Sequence, residues 1–311
     1  MSRPTYQPDI KHSSAFNYGG RLVCGTSGLG GVWGEIIAEE SVTAILSALE
    51  RGVRAFDTAP SYANAETFLG MALKEWSGER PFISTKIGRQ RGEDAFDFKL
   101  DYSDSALERS LQQSLKLLGC EKIDLLFLHE PQLVPTNEIG RILESLHRFR
   151  SQGLVDYIGL GGNPTTHFHK FIQQGHFDAI SGFLKLNACN LSALDSDIPQ
   201  YCQAGVIYYA ASPLHFGLLG NRFKEYTCSD IDESWMSKND VEKATQINEI
   251  ANQAGMTLSS LAQRYLFSIA EADRVVVGAR NPKEIALTMS DWEAGALPES
   301  LFDTITNILI T

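Results

Sequence analysis

In the stretch RAFDTAPSYANAETFLG, residues 54–70, an apolar run ends in a carboxylate, Asp57, and a phenol follows five residues later at Tyr62, on a Pro-Ser turn. Two further apolar runs end on chemistry-bearing groups: PFISTKIG carries Lys86 near its end, and IDLLFLH closes on His129. Each residue alone has an ordinary explanation, as a turn aspartate, a solvated lysine or a core histidine. Gathered at one place, they form an acid/base. A tyrosine, with an ordinary pKa of about 10, exchanges protons poorly near neutrality. An ammonium about 4 Å away attracts the phenolate by roughly 4 kcal/mol at an effective dielectric near 20, enough to lower that pKa by up to about three units. Asp57 then holds Lys86 charged and aimed, and His129 hydrogen-bonds a substrate oxygen. Such a group suits a carbonyl or an alcohol. It includes no activated Ser or Cys nucleophile and no metal ligand set.

The elements that must position these residues are short apolar runs alternating with longer helical segments. Strands are expected at 21–26, 53–58, 81–88, 123–129, 157–162, 178–186, 206–212 and 274–279. Most are apolar throughout, as strands of a parallel sheet covered on both faces should be. Between them, EESVTAILSALERG, YSDSALERSLQQSLKLLG and NEIGRILESLHRFRSQG read as helices closing on Gly52, Gly119 and Gly153. The expected fold class is α/β, a (β/α)8 TIM barrel forming one domain over 1–311; a doubly wound open sheet is the alternative. A short N-terminal extension (about 1–17) precedes the first strand, and a long irregular loop at about 219–238 carries Trp235. Barrel active sites sit at the C-terminal strand ends, where Asp57, Lys86 and His129 fall.

Composition narrows the partners. The 27 Lys and Arg are outnumbered by 38 Asp and Glu, a net charge of -11, so no nucleic acid partner is expected. Five scattered cysteines, Cys24, Cys120, Cys189, Cys202 and Cys228, include no Cys-x-x-Cys pair and read as reduced thiols of a cytoplasmic protein. MSRPTYQPDIKHSS has no apolar h-region, and no 18-residue apolar run occurs, so no export or membrane segment is expected. HFH, with His167 and His169, falls on the helix after strand five rather than at a strand end, and no metal site is expected. Composition sets no expectation for the oligomer.

FDTAPSYANAETFLG, STK (84–86), DLLFLHEP (124–131) and IGLGGN (158–163) together resemble the aldo-keto reductases, from about residue 18 to the C-terminus. The resemblance implies an NAD(P)-dependent oxidoreductase in which Tyr62 is the proton donor, Lys86 and Asp57 tune it, and His129 orients the substrate carbonyl. It further implies that Gly25 and Thr26 lie near the nicotinamide ribose and that Trp33 walls the substrate pocket. Diphosphate contacts are expected from SPLHFGLLG (Ser212, Leu214, Gly217) and GARNPKE (Gly278, Ala279, Arg280, Glu284), the loops from which barrels commonly build phosphate sites. GTSGLGG (25–31) contains no G-x-G-x-x-G.

Three departures from the family pattern stand out. The Ser-Asn pair that holds the nicotinamide carboxamide falls at Gly161 and Gly162, with Asn163 one place late. The ring that stacks on the nicotinamide falls at Ala211, with Tyr208 and Tyr209 close by. Glu284 stands about where many NADP-binding members place an arginine or glutamine; its carboxylate would repel a 2′-phosphate and accept from a ribose hydroxyl, which leans the expectation weakly toward NAD, offset by Arg280 and Lys283. GLGGNP with AASPLHFGLLG looks most like the aldose dehydrogenase members acting on L-galactose- or L-fucose-type sugars. The expected substrate is accordingly an aldose. Reduction of small aldehydes or ketones is the alternative, as is a cofactor-sensing subunit of a membrane channel.

Overall fold

The computed structural model describes residues 2–13, 15–93, 97–228 and 236–311. Eight parallel strands close into a barrel: β1 (Leu22–Gly25), β2 (Ala55–Asp57), β3 (Phe82–Ile87), β4 (Ile123–His129), β5 (Val155–Gly161), β6 (Ala179–Phe183), β7 (Ile207–Ala211) and β8 (Arg274–Gly278). Neighbours in sequence are neighbours in the barrel, and β8 closes on β1 through Leu22↔Val275 to Gly25↔Gly278. Helices α1 (Ala38–Glu50), α2 (Ala65–Glu75), α3 (Asp104–Leu118) and α4 (Ile139–Ser151) follow the first four strands. α3 stops where Gly119 turns left-handed (φ 64). Among the described residues, no helix is long and apolar enough to cross a membrane.

Side chains alternate sides along a strand, and the two sets separate cleanly. Phe56, Ile83, Leu126, Leu128, Ile158 and Val275 point outward into the layer beneath the helices. Ala55, Phe82, Leu125, Phe127, Tyr209 and Val276 fill the barrel interior. Every residue two places further along an inward series is therefore aimed at the barrel axis near its mouth.

The N-terminal extension covers the opposite end. Phe16 packs on Phe82 and Tyr157, with ring centroids 5.3 and 4.4 Å apart. Buried Arg274 lies over Phe82 at 4.3 Å and Phe16 at 5.2 Å, and donates to Tyr209 Oη and to the carbonyls of Ala15 and Tyr18.

Three details differ from expectation. β6 ends at Phe183 because Leu184 takes a left-handed conformation (φ 65). A short antiparallel pair, Arg89–Arg91 with Phe98–Leu100, occupies the connection after β3. Within the stretch expected as irregular at 219–238, Phe223–Cys228 is helical, while Trp235 lies outside the described residues.

Arg274→Ala removes the donor that three oxygens at the floor share. It should lower unfolding free energy by about 3 kcal/mol in chemical denaturation, while the folded fraction keeps its cofactor affinity, because the mouth is at the other end.

Candidate active site

The inward series delivers the chemistry. Ala55–Asp57 on β2, Phe82–Ser84–Lys86 on β3 and Leu125–Phe127–His129 on β4 share one parity, so Asp57, Lys86 and His129 all face the axis at the mouth. Register holds them level: Asp57 pairs with Ser84, and Lys86 with Phe127. Asp57 and Lys86 form a buried ion pair, 2.5 Å from Nζ to Oδ2. Ser84 Oγ donates to the other carboxylate oxygen at 2.8 Å, and Lys86 also donates to Thr58 O at 2.9 Å. Tyr62 comes back over the same mouth, half-buried, with the ammonium 4.6 Å from its ring centroid and the His129 ring edge-on at 6.1 Å. Thr26 fixes the base of this loop by donating its N–H and Oγ to Asp57 O, each at 3.0 Å. Gly30 allows the close approach, since a Cβ there would stand 2.1 Å from Tyr62 O.

The charges respond to this packing. Burial alone would lower the Lys86 pKa, but the Asp57 charge, with the phenol and hydrogen bonds added, raises it, so the ammonium stays charged. Burial raises the Tyr62 phenol above its ordinary value, and Lys86 pulls it back only in part. Lys86 does not by itself set the phenol low, as the charge argument alone expected. Burial first, then the charges of Lys86 and Arg89, push His129 well below the ordinary histidine range, which leaves a neutral imidazole.

The rest of the mouth is open. On the remaining strands the last inward positions include Gly25, Gly161, Ala211 and Gly278, and nothing stands within 4 Å of where a Cβ on Gly278 would be. Among the described residues, Thr58 Oγ1, Ser61 Oγ, His129 Nδ1 and Gln132 Oε1 are buried at this end without a hydrogen-bond partner. A rim that carries only glycine or alanine on four of its strands, beside unpaired polar atoms and a proton-transfer group, fits a nicotinamide dinucleotide lying across the mouth.

The expected contact residues fare unevenly. Gly25 and Gly278 pair across β1 and β8 at the rim. Ser212, Leu214 and Gly217 lie on the β7 loop, which is bent through left-handed residues at Ser212, His215 and Phe216. Ala279 and Arg280 pack against the β1 loop, where a Cβ on Gly28 would meet Ala279 O at 2.5 Å. Glu284 already accepts from Arg280 N (2.9 Å), while its own N–H bonds Asn281 Oδ1, the cap of the helix Pro282–Glu293. Trp33 is 41% exposed and meets Phe216 edge-on, joining the β1 and β7 loops. Asn163, expected at the cofactor, donates one amide N–H to Phe183 O and accepts from Phe183 N, which straps β5 to β6 and uses one of its two N–H groups. Neither tyrosine near Ala211 can stack at the mouth, because Tyr208 points outward onto Tyr201 and Tyr209 points inward at the floor beside Arg274.

Sequence reasoning missed Ser84, Arg89, Glu130 and Gln132. Ser84 was findable, being two residues before Lys86 on the same face. Arg89 pairs with Glu130 at 2.6 Å beside His129, in a turn where Glu130 takes φ 55; charged residues directly after two site-bearing strands were the available signal.

His167, on the 3-10 turn Thr166–Phe168, bonds Thr136 Oγ1 at the exposed surface of the connections after β4 and β5. The structure does bring Cys189, His215 and Asp240 within 4.8 Å of one another. Cys189 Sγ and Asn187 face His215 Nδ1, whereas Asp240 approaches Nε2 and accepts from Ser237 as a helix cap. With thiol and carboxylate on opposite ring nitrogens, the group suits a hydrogen-bonded strut beneath the β7 loop.

Comparison with known proteins agrees with this geometry. The chain is 26% identical over 271 residues to L-galactose dehydrogenase of Arabidopsis thaliana, covering 84% of this chain and 80% of the relative. It is 23% identical to D-threo-aldose 1-dehydrogenase of Pseudomonas sp, covering 89% and 90%, and 24% identical to NADH-specific methylglyoxal reductase of Escherichia coli, covering 90% and 94%. The glycerol dehydrogenase of Gluconobacter oxydans has the same fold, with a TM-score of 0.76 at 22% identity over 99% of this chain and 96% of that one. The model of the Aldo/keto reductase family matches residues 21–310. This chain, an NAD(P)-dependent oxidoreductase, therefore belongs to the aldo/keto reductase family.

Proposed function

We propose that the protein oxidises an aldose at its lactol carbon with Tyr62 as the proton-transfer group and NAD as the preferred cofactor. The observation that carries the proposal is the buried Asp57–Lys86 pair held against the Tyr62 ring, beside a neutral His129, at one mouth. The bound dinucleotide supplies the hydride acceptor at its nicotinamide ring. The protein's own part is the proton. Tyr62 Oη takes it from the substrate hydroxyl in oxidation and returns it to the carbonyl oxygen in reduction. Lys86 stabilises the phenolate so produced, Asp57 keeps the ammonium charged and aimed, and the neutral His129 ring hydrogen-bonds the same substrate oxygen.

A polyhydroxylated substrate is favoured by the Arg89–Glu130 pair at the rim, which offers both donors and acceptors, and by Trp33, whose exposed ring suits a sugar face. The aldose dehydrogenases among the relatives point the same way. The NAD preference rests on the Glu284 carboxylate at the start of the helix Pro282–Glu293, where a 2′-phosphate would meet like charge. All five cysteines are free thiols, which agrees with a cytoplasmic setting.

Initial rates with a panel of aldoses and with NAD or NADP test the substrate directly. Turnover of an L-galactose- or L-fucose-type sugar, faster with NAD, is expected; aldehyde reduction without aldose oxidation would refute the proposal in favour of a small-carbonyl reductase. Tyr62→Phe should cut turnover roughly 10²- to 10⁴-fold while the protein still binds cofactor in a fluorescence titration; unchanged turnover would remove Tyr62 from the mechanism. The pH profile follows from the signs above. With the phenol raised, Tyr62 stays protonated through neutrality, so reduction holds constant from acid to neutral pH and declines as pH rises through the phenol pKa, while oxidation increases. His129, held neutral, contributes no limb near its ordinary pKa of about 6.5. A limb there that His129→Gln abolishes would contradict this.

A further inference from the structure

A nicotinamide carboxamide carries an N–H₂ and a C=O, and leaving such a group buried and unpaired costs about 1–3 kcal/mol. The two positions at the end of β5 that the resemblance assigns to it are Gly161 and Gly162, which have no side chain, and the neighbouring Asn163 is turned onto Phe183, with one N–H and its carbonyl oxygen engaged there. The space is nonetheless occupied by a polar group from another loop. A Cβ on Gly162 would stand 2.7 Å from Gln132 Oε1 and 2.8 Å from Pro131 Cδ, so the Gln132 amide lies where a side chain at 162 would begin.

The orientation of that amide is determined by its neighbours. Gln132 Nε2 donates to Glu130 Oε2, and Arg89 donates to Glu130 Oε1 at 2.6 Å. An ionised carboxylate only accepts, so the amide nitrogen must face Glu130 and the carbonyl oxygen must face Gly162. There Oε1 is buried and has no hydrogen-bond partner in the structure. A buried acceptor of this kind calls for a donor from a ligand.

We propose that Gln132 is a cofactor-binding residue, whose Oε1 accepts a hydrogen bond from the carboxamide N–H₂ of the nicotinamide and so takes over the task that Gly161 and Gly162 cannot perform. Arg89 and Glu130 are then positioning residues that aim the amide. The inference rests on the dinucleotide reading of the mouth and extends it to one atom.

Calorimetric titration of the whole protein with NAD, its 3-acetylpyridine analogue and ADP-ribose tests it. The analogue replaces the carboxamide N–H₂ with a methyl group, and ADP-ribose lacks the ring altogether. The wild type should bind NAD roughly fivefold more tightly than the analogue, the worth of one neutral hydrogen bond. Gln132→Leu and Gln132→Ala should each weaken NAD about fivefold, to the level of the analogue, and leave the analogue and ADP-ribose unchanged. Unaltered ADP-ribose binding also reports an intact fold. Equal weakening of NAD and the analogue, or no change for NAD, overturns the role of Gln132 while leaving the dinucleotide reading standing. A wild type that binds neither NAD nor NADP overturns both.

Discussion

The ion pair between Asp57 and Lys86 is the interaction on which the rest of the site depends. Two charges are taken out of water at the top of a barrel packed with Phe127 and Leu125, and removing either partner would leave the other unpaired at a cost of about 3–5 kcal/mol. The pair is tolerated because its remaining hydrogen-bonding capacity is met. Ser84 on β3 and Thr58, directly after β2, supply those bonds. The register Asp57↔Ser84 is thus an electrostatic requirement as well as a sheet contact.

From that constraint the division of the molecule follows. The floor is closed by large groups, with Arg274, Phe16, Phe82 and Tyr209 stacked under the N-terminal segment. The mouth is left open by glycine and alanine at the last inward positions of β1, β5, β7 and β8. Chemistry from three adjacent strands therefore faces an empty half-rim, which is the arrangement a cofactor and a small substrate need in order to meet a proton donor.

Much of this was legible in the sequence. The barrel could be read because each strand is a short apolar run, and the Asp57, Tyr62, Lys86 and His129 group because strand-end position and alternation together decide which way a side chain points. What escaped depended on irregular backbone and on burial. Glu130 reaches the site through a left-handed turn, and Arg89 through a hairpin that no periodicity announces. Asn163 straps Phe183 with one N–H and its carbonyl oxygen, a non-local pairing that spacing does not report. The Tyr62 phenol was expected to move down under the Lys86 charge, whereas the depth of burial, which sequence spacing does not report, moves it up.

That balance on the phenol decides how Tyr62 exchanges its proton, and it can be measured. Carbon-13 NMR of protein labelled at tyrosine Cζ, with the Tyr62 signal assigned through Tyr62→Phe, gives the phenol pKa in the cofactor-free wild type and in Lys86→Met. A Tyr62 pKa above the ordinary value of about 10 is expected in the wild type, and one higher still in Lys86→Met, where burial acts without the ammonium to oppose it. A phenol that titrates at its ordinary value, or one that Lys86→Met leaves unmoved, would contradict the coupling of Asp57, Lys86 and Tyr62 on which the mechanism stands.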